Sequence, residues 1–155
     1  MKGAPAETPD GRSLRVLVLR ATFNAAVVDG LLAGARAALE EMGVAEVAVE
    51  DVPGAFELPL AARVAAESGR FDAVVALAAV IRGETDHYEH IAREAAAGLA
   101  TVSRETRVPV GFGVLTVTAE AQALARSVPG PANKGAEAAR AAVAMAQLLR
   151  RLKAR

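Results

Sequence analysis

The polar cluster formed by Arg82, Gly83, Glu84, Thr85, Asp86, His87, Tyr88, Glu89 and His90 follows directly on nine apolar residues at 73–81. A histidine titrates near neutrality and suits general acid–base work. An arginine, a hydroxyl and a glycine that lets a ligand approach the backbone suit a phosphate or a developing oxyanion. Asp86 with Glu89 three residues later predicts a capping box, hence a helix beginning here with His87 in its first turn. The unpaired N–H groups of such a helix start would stabilise an anion. An ordinary well-capped turn explains Asp86 and Glu89 equally well, but leaves His87 and Gly83 unexplained.

Two further sets of residues could contribute. Of the five aromatics, Phe23, Phe56 and Tyr88 each follow an apolar run and Phe112 lies within one, while Phe71 sits elsewhere. Several aromatics at one sheet edge could stack a flat heterocycle, or simply plug the ends of an alanine-rich core. Arg82, Arg126 and Lys134 could hold a phosphate, although a solvated surface cation is the usual explanation for each alone. No GxxxxGK[ST] loop is present, and residues 20–24 after the first apolar run contain no glycine, which excludes a P-loop and a dinucleotide fingerprint. His87 and His90 lack the spacing of zinc motifs and have no cysteine to help, so no metal is expected.

These residues must be carried by a regular scaffold. Apolar runs at 14–19, 47–52, 73–81 and 108–116 read as strands, the third as one buried on both faces. Between them, helical spacing predicts helices opening at Asn24 and closing at Gly43, from Phe56 to near Gly69, from 87 to 105, and a short one over 119–125. In the second, Phe56, Leu60, Ala61 and Val64 would form the apolar face, with Pro59 confined to the first turn. The stretch 127–131, with two prolines and a glycine, cannot be helical, and Asn133 opens a terminal helix to about Leu152. The expectation is a three-layer α/β/α sandwich with a four-stranded parallel sheet. Residues 1–12 read as a flexible or extended arm before a single domain at 13–155. In open parallel sheets ligands bind outside the carboxyl ends of the strands, where the 82–90 cluster falls.

Composition narrows the function. The 155 residues carry 18 basic and 18 acidic side chains, mixed along the chain, so neither nucleic acid nor an anionic membrane is an expected partner. The absence of cysteine removes disulfides and thiol catalysis. The start lacks the apolar segment of a signal peptide and the apolar runs are too short to span a bilayer, so a cytoplasmic location is expected. Apolar residues make up 53% of the chain but aromatics only 3%, so small aliphatic side chains supply the apolar surface. Part of that surface is expected to be covered by other copies.

Taken in order, the anchors are Phe23 and Asn24; the run from Val52 through Pro53, Gly54, Ala55, Phe56, Glu57 and Leu58 to Pro59; and Val80 through Thr85 with His87 and Tyr88. After these come the run from Phe112 to Thr116, Arg126, and Asn133 through Gly135. This constellation resembles the 6,7-dimethyl-8-ribityllumazine synthases, over nearly everything after the arm. The resemblance implies a flavodoxin-like fold and a cofactor-free condensation of 5-amino-6-(D-ribitylamino)uracil with 3,4-dihydroxy-2-butanone 4-phosphate, releasing phosphate and water. It implies Phe23 stacking on the pyrimidine and Ala55, Phe56 and Glu57 lining a ribityl pocket. Ala79, Val80 and Ile81 would contact the ring, and Phe112 would close the pocket from a neighbouring subunit. Glu84, Thr85 and Arg126 would bind the phosphate substrate with Lys134 nearby, and His87 would move protons. Ala78 stands where the family often has glycine. The resemblance further implies pentamers, packed in some members into icosahedral shells, and admits riboflavin synthase as a further partner. The short 127–132 connection is like that of the shell-forming members.

Two other readings differ in class. A non-catalytic shell or lumazine-binding protein would keep the fold without turnover, against which His87, Arg126 and Glu57 all stand. A flavodoxin-like electron carrier would need a hydroxyl- and glycine-rich loop after the first strand, which residues 20–24 do not provide.

Overall fold

The structure, a computed structural model, describes residues 7–154. Strands β1 (Arg15–Ala21), β2 (Glu46–Val52), β3 (Ala73–Ile81) and β4 (Val110–Val117) form one parallel sheet in the order β2-β1-β3-β4. Helices α1 (Ala25–Glu41), α2 (Leu58–Glu67), α3 (His87–Thr106), α4 (Glu120–Ala125) and α5 (Lys134–Lys153) cover it, with a 3-10 turn at Ala55–Glu57 leading into α2. The expected three-layer, flavodoxin-like α/β/α sandwich is what forms.

The side-chain alternation of the strands defines the two layers. Val16, Val18, Ala73, Val75 and Leu77 face α1 and α5; Leu17, Leu19, Val74, Ala76 and Ala78 face α2 and α3. The step from β1 to β2 moves one way across the sheet, and the steps to β3 and β4 move the other. A constant crossover hand therefore requires α1 on one face and α2 and α3 on the opposite face. That reversal parts the chain between β1 and β3 at their carboxyl ends.

The helix boundaries follow from local chemistry. Gly43 and Gly69 adopt positive φ just past α1 and α2, ending them as glycine does without steric cost. Pro59 lies in the first turn of α2, where a missing N–H is harmless. Asn133 accepts from the Ala136 N–H at 3.0 Å and caps α5. The first six residues of the expected arm lie outside the described residues. Of the rest, Gly11 is buried, its N–H donating to the Met42 carbonyl at 2.8 Å.

Two expectations need correction. The apolar face of α2 is Leu58, Ala62 and Ala66, whereas Leu60 and Val64 point outward at 73% and 63% exposure. Helical periodicity registers an apolar stripe without indicating whether it meets the chain's own core. The capping box at α3 does not form either. Asp86 has helical backbone angles (φ −74°, ψ 0°), so its side chain makes no capping bond; its carbonyl accepts from the Glu89 N–H instead.

Helices α1 and α5 approach closely because small residues line the contact, with Gly135, Ala136, Ala138, Ala139 and Ala142 all buried. A methyl at Gly135 would collide with the Leu31 carbonyl oxygen, which the backbone of α1 cannot move aside. Gly135→Ala is therefore expected to destabilise the fold by about 1–3 kcal/mol, read as a lower urea midpoint with unchanged m-value; an unchanged midpoint would contradict this packing.

Candidate functional site

A cavity of about 520 Å³ opens at the carboxyl ends of β1 and β3, where the strand order reverses. This is the switch point at which open α/β sheets bind their ligands, and the volume is that of a small-molecule pocket. Its walls come from four segments: Ala21 ending β1 with Phe23 and Asn24 after it; the 53–57 turn after β2; Ala78 to Ile81 ending β3; and Gly83 and Thr85 leading into α3 with His87, Tyr88 and Ile91 in its first turns.

Each wall has a local cause. Phe23 stands on the sharp turn between β1 and α1 with 72% of its surface exposed, a ring held out of the core. The 3-10 turn folds Phe56 and Glu57 toward the cavity, the Glu57 N–H donating to the Gly54 carbonyl at 3.3 Å. Ala78 and Ala79 are buried and Val80 and Ile81 partly so, giving an apolar floor. Thr85 and His87 are joined where the His87 N–H reaches the Thr85 hydroxyl at 3.4 Å. Asp86 gives α3 no side-chain cap, and with the Glu89 N–H on the Asp86 carbonyl at 3.0 Å, the Tyr88 N–H and the positive end of the helix are what this start offers an anion beside His87.

Of the thirteen expected site residues, nine line this cavity: Phe23, Ala55, Phe56, Glu57, Ala79, Val80, Ile81, Thr85 and His87. Glu84, Phe112, Arg126 and Lys134 do not line it. Glu84 is exposed on the loop beside the mouth. Phe112 lies in the edge strand β4, in register with Ala76 and five residues before the strand ends at Val117, about 16 Å along the strand at roughly 3.3 Å per residue. Its side chain is 49% exposed at the free edge. Arg126 ends α4, where its guanidinium donates to the Gln122 carbonyl at 2.9 Å. Lys134 opens α5 and its ammonium pairs with Glu137 at 2.8 Å, while its backbone N–H donates to the Arg126 carbonyl at 2.9 Å and ties the two residues together through their backbones. One chain thus presents two groups of residues, one around the cavity and one along the β4 side.

Sequence reasoning singled out neither Asn24 nor Ile91 as site residues, yet both line the cavity. Ile91 could have been found, since it falls one helical turn after His87. Asn24 gave no such signal, being the expected start of α1.

The family model for 6,7-dimethyl-8-ribityllumazine synthase matches residues 13–150. This chain belongs to the 6,7-dimethyl-8-ribityllumazine synthase family. Relatives bearing that name include a protein of Kineococcus radiotolerans, 53% identical over 96% of this chain and 92% of its own length. One of Thermococcus gammatolerans is 51% identical over 92% of both chains, and one of Leifsonia xyli subsp. xyli is 48% identical over 97% of both. As a lumazine synthase family member the chain is an enzyme, a transferase of riboflavin biosynthesis.

Gly83 borders the cavity, and a methyl built there meets no atom within 4 Å. Gly83→Ala should leave thermal unfolding unchanged while crowding an anion at the start of α3. The expected loss of affinity for inorganic phosphate, measured by titration calorimetry, is roughly fivefold to tenfold, about 1–1.4 kcal/mol.

Proposed function

We propose that this lumazine synthase family member condenses 5-amino-6-(D-ribitylamino)uracil with 3,4-dihydroxy-2-butanone 4-phosphate to 6,7-dimethyl-8-ribityllumazine, releasing phosphate and water without a cofactor. The observation that carries this reading is that a ring platform, a carboxylate and a histidine border one cavity: Phe23, Glu57 and His87. Phe23 stacks on the pyrimidine, whose edge meets Ala79, Val80 and Ile81. Glu57 accepts from ribityl hydroxyls beside Ala55 and Phe56. Thr85, with Glu84 at the mouth, holds the second substrate at the start of α3.

The reaction joins the ring's amine to the ketone carbonyl with loss of one water and expels phosphate by elimination; the ribityl-bearing nitrogen then closes the second ring on the remaining carbonyl with loss of a second water. Each step moves a proton, and His87 is placed to relay it. Departing phosphate needs positive charge, which the α3 N-terminus supplies in part. The cations expected to complete that charge, Arg126 and Lys134, border no part of this chain's own cavity. A second copy brings them, together with Phe112.

The surface supports this. Phe56, Leu60 and Val64 are exposed on the side of the 3-10 turn and α2, and Phe112 is exposed on the free edge of β4. Two unlike apolar faces on one chain suit a head-to-tail contact, which closes into a ring when the rotation permits. A pentamer fits the reading, and the compact α4–α5 connection supports its extension to a shell of pentamers, inside which riboflavin synthase could be held. A phosphorylated substrate, which does not cross membranes unaided, supports a cytoplasmic location; among the described residues no helix is long and apolar enough to span a bilayer.

Mixing the protein with both substrates should release phosphate in step with the lumazine absorbance; no phosphate release would overturn the reading. His87→Ala should slow turnover by about 10²-fold without abolishing it, because positioning remains. Arg126→Ala should chiefly raise KM for the butanone phosphate, and a fully active Arg126→Ala enzyme would contradict its role. Sedimentation should show a pentamer or larger; a monomer would contradict the shared site.

A further inference from the structure

Asn24 adopts a left-handed backbone (φ 59°, ψ 47°), which among the described residues only one other non-glycine residue, Arg107, shares. Asparagine at a helix start ordinarily caps the helix through its side chain. Here the side chain makes no such bond, and only its carbonyl serves α1, accepting from the Val27 and Val28 N–H groups at 3.1 Å. The amide instead crosses to β3, donating from Nδ2 to the Ala79 carbonyl at 2.8 Å.

The sheet explains why that carbonyl needs a donor. The last β1–β3 partners are Arg20 and Leu77, and β1 leaves the sheet after Ala21. Ala79 lies two residues beyond, at the cavity floor, with β4 on its other side through Leu115. The Asn24 amide takes the place of the strand that has gone. The backbone that aims it also holds Phe23 out into the cavity, so one hydrogen bond couples ring platform to floor.

We infer that Asn24 is a positioning residue for the ring-bearing substrate, its amide fixing the gap between Phe23 and the end of β3 into which a flat heterocycle slides. The inference rests on the proposed condensation. A ring held between these walls feels a change in gap, whereas the phosphate-bearing partner at the start of α3 does not.

Asn24→Gly tests this, since glycine accepts the left-handed backbone and removes only the amide. Asn24→Asp keeps shape and backbone but sets a carboxylate against a carbonyl; on protonation its carboxyl group can donate again. Steady-state kinetics are measured with each substrate varied, relative to wild type at each pH, alongside thermal unfolding. The expected result is a KM for 5-amino-6-(D-ribitylamino)uracil raised on the order of tenfold in both variants, with KM for the butanone phosphate within about twofold. As pH falls, the Asn24→Asp defect should shrink relative to wild type while that of Asn24→Gly stays constant. Equal rises in both KM values, no rise in either, or a pH-independent Asn24→Asp defect would overturn the inference. A wild-type protein unable to form product would overturn the condensation and this inference together; an active wild type with unselective variants overturns this inference alone.

Discussion

Strand β3 is the constraint from which the rest follows. Its nine residues carry no polar side chain, and it is paired on one side with β1 and on the other with β4. A polar group inserted anywhere along its buried length would need a partner that the aliphatic layers on both faces do not offer. Chemistry is therefore displaced to its carboxyl end, where Arg82 meets solvent. The reversal of strand order beside it opens the cavity, and the helix that must follow β3 places His87 at the rim.

The second group of residues is held by a different device. Asn133 is only 1% exposed, and its amide donates to the carbonyls of Gly30, Ser127 and Val128 at 3.0–3.1 Å while its oxygen caps α5. One side chain thus ties α1, the α4–α5 connection and α5 into a unit. Arg126 and Lys134 flank that knot, so their positions are set by a buried, satisfied polar group rather than by surface loops. Glycines at 30 and 34 make room for it, since a methyl at either would strike Ser127 or Asn133. Rigidity on this side and an apolar floor on the other give one chain two preformed surfaces.

Much of this was legible in the chain. The unbroken apolar run at 73–81 suited a strand buried on both faces, and Pro59, Gly43 and Gly69 marked helix ends because backbone chemistry leaves them few alternatives. The nine expected residues that share the cavity lie at or just beyond the carboxyl ends of three different strands, and their meeting was readable because parallel topology brings all carboxyl ends to one edge. What escaped the sequence depended on context. Leu60 and Val64 look like core in one dimension and lie outside in three. Asp86 matched a capping pattern, but its backbone adopts the helical conformation and turns the side chain away. Asn24 matched a helix start, yet its amide serves a strand carbonyl 55 positions away. The separation of Phe112, Arg126 and Lys134 from the cavity was not readable from spacing at all, because it depends on which edge of the sheet each occupies.

The most direct measurement is subunit complementation. One chain carries Glu57→Ala with His87→Ala, damaging the cavity group; another carries Arg126→Ala with Lys134→Ala, damaging the β4-side group. Each assembled alone is expected to be severely impaired. Co-assembled in equal amounts around a head-to-tail ring, about one quarter of the sites regain an intact cavity facing an intact edge, and turnover should rise toward that fraction of wild type. Turnover that stays at the mean of the two separate variants would mean that each site is built within one chain.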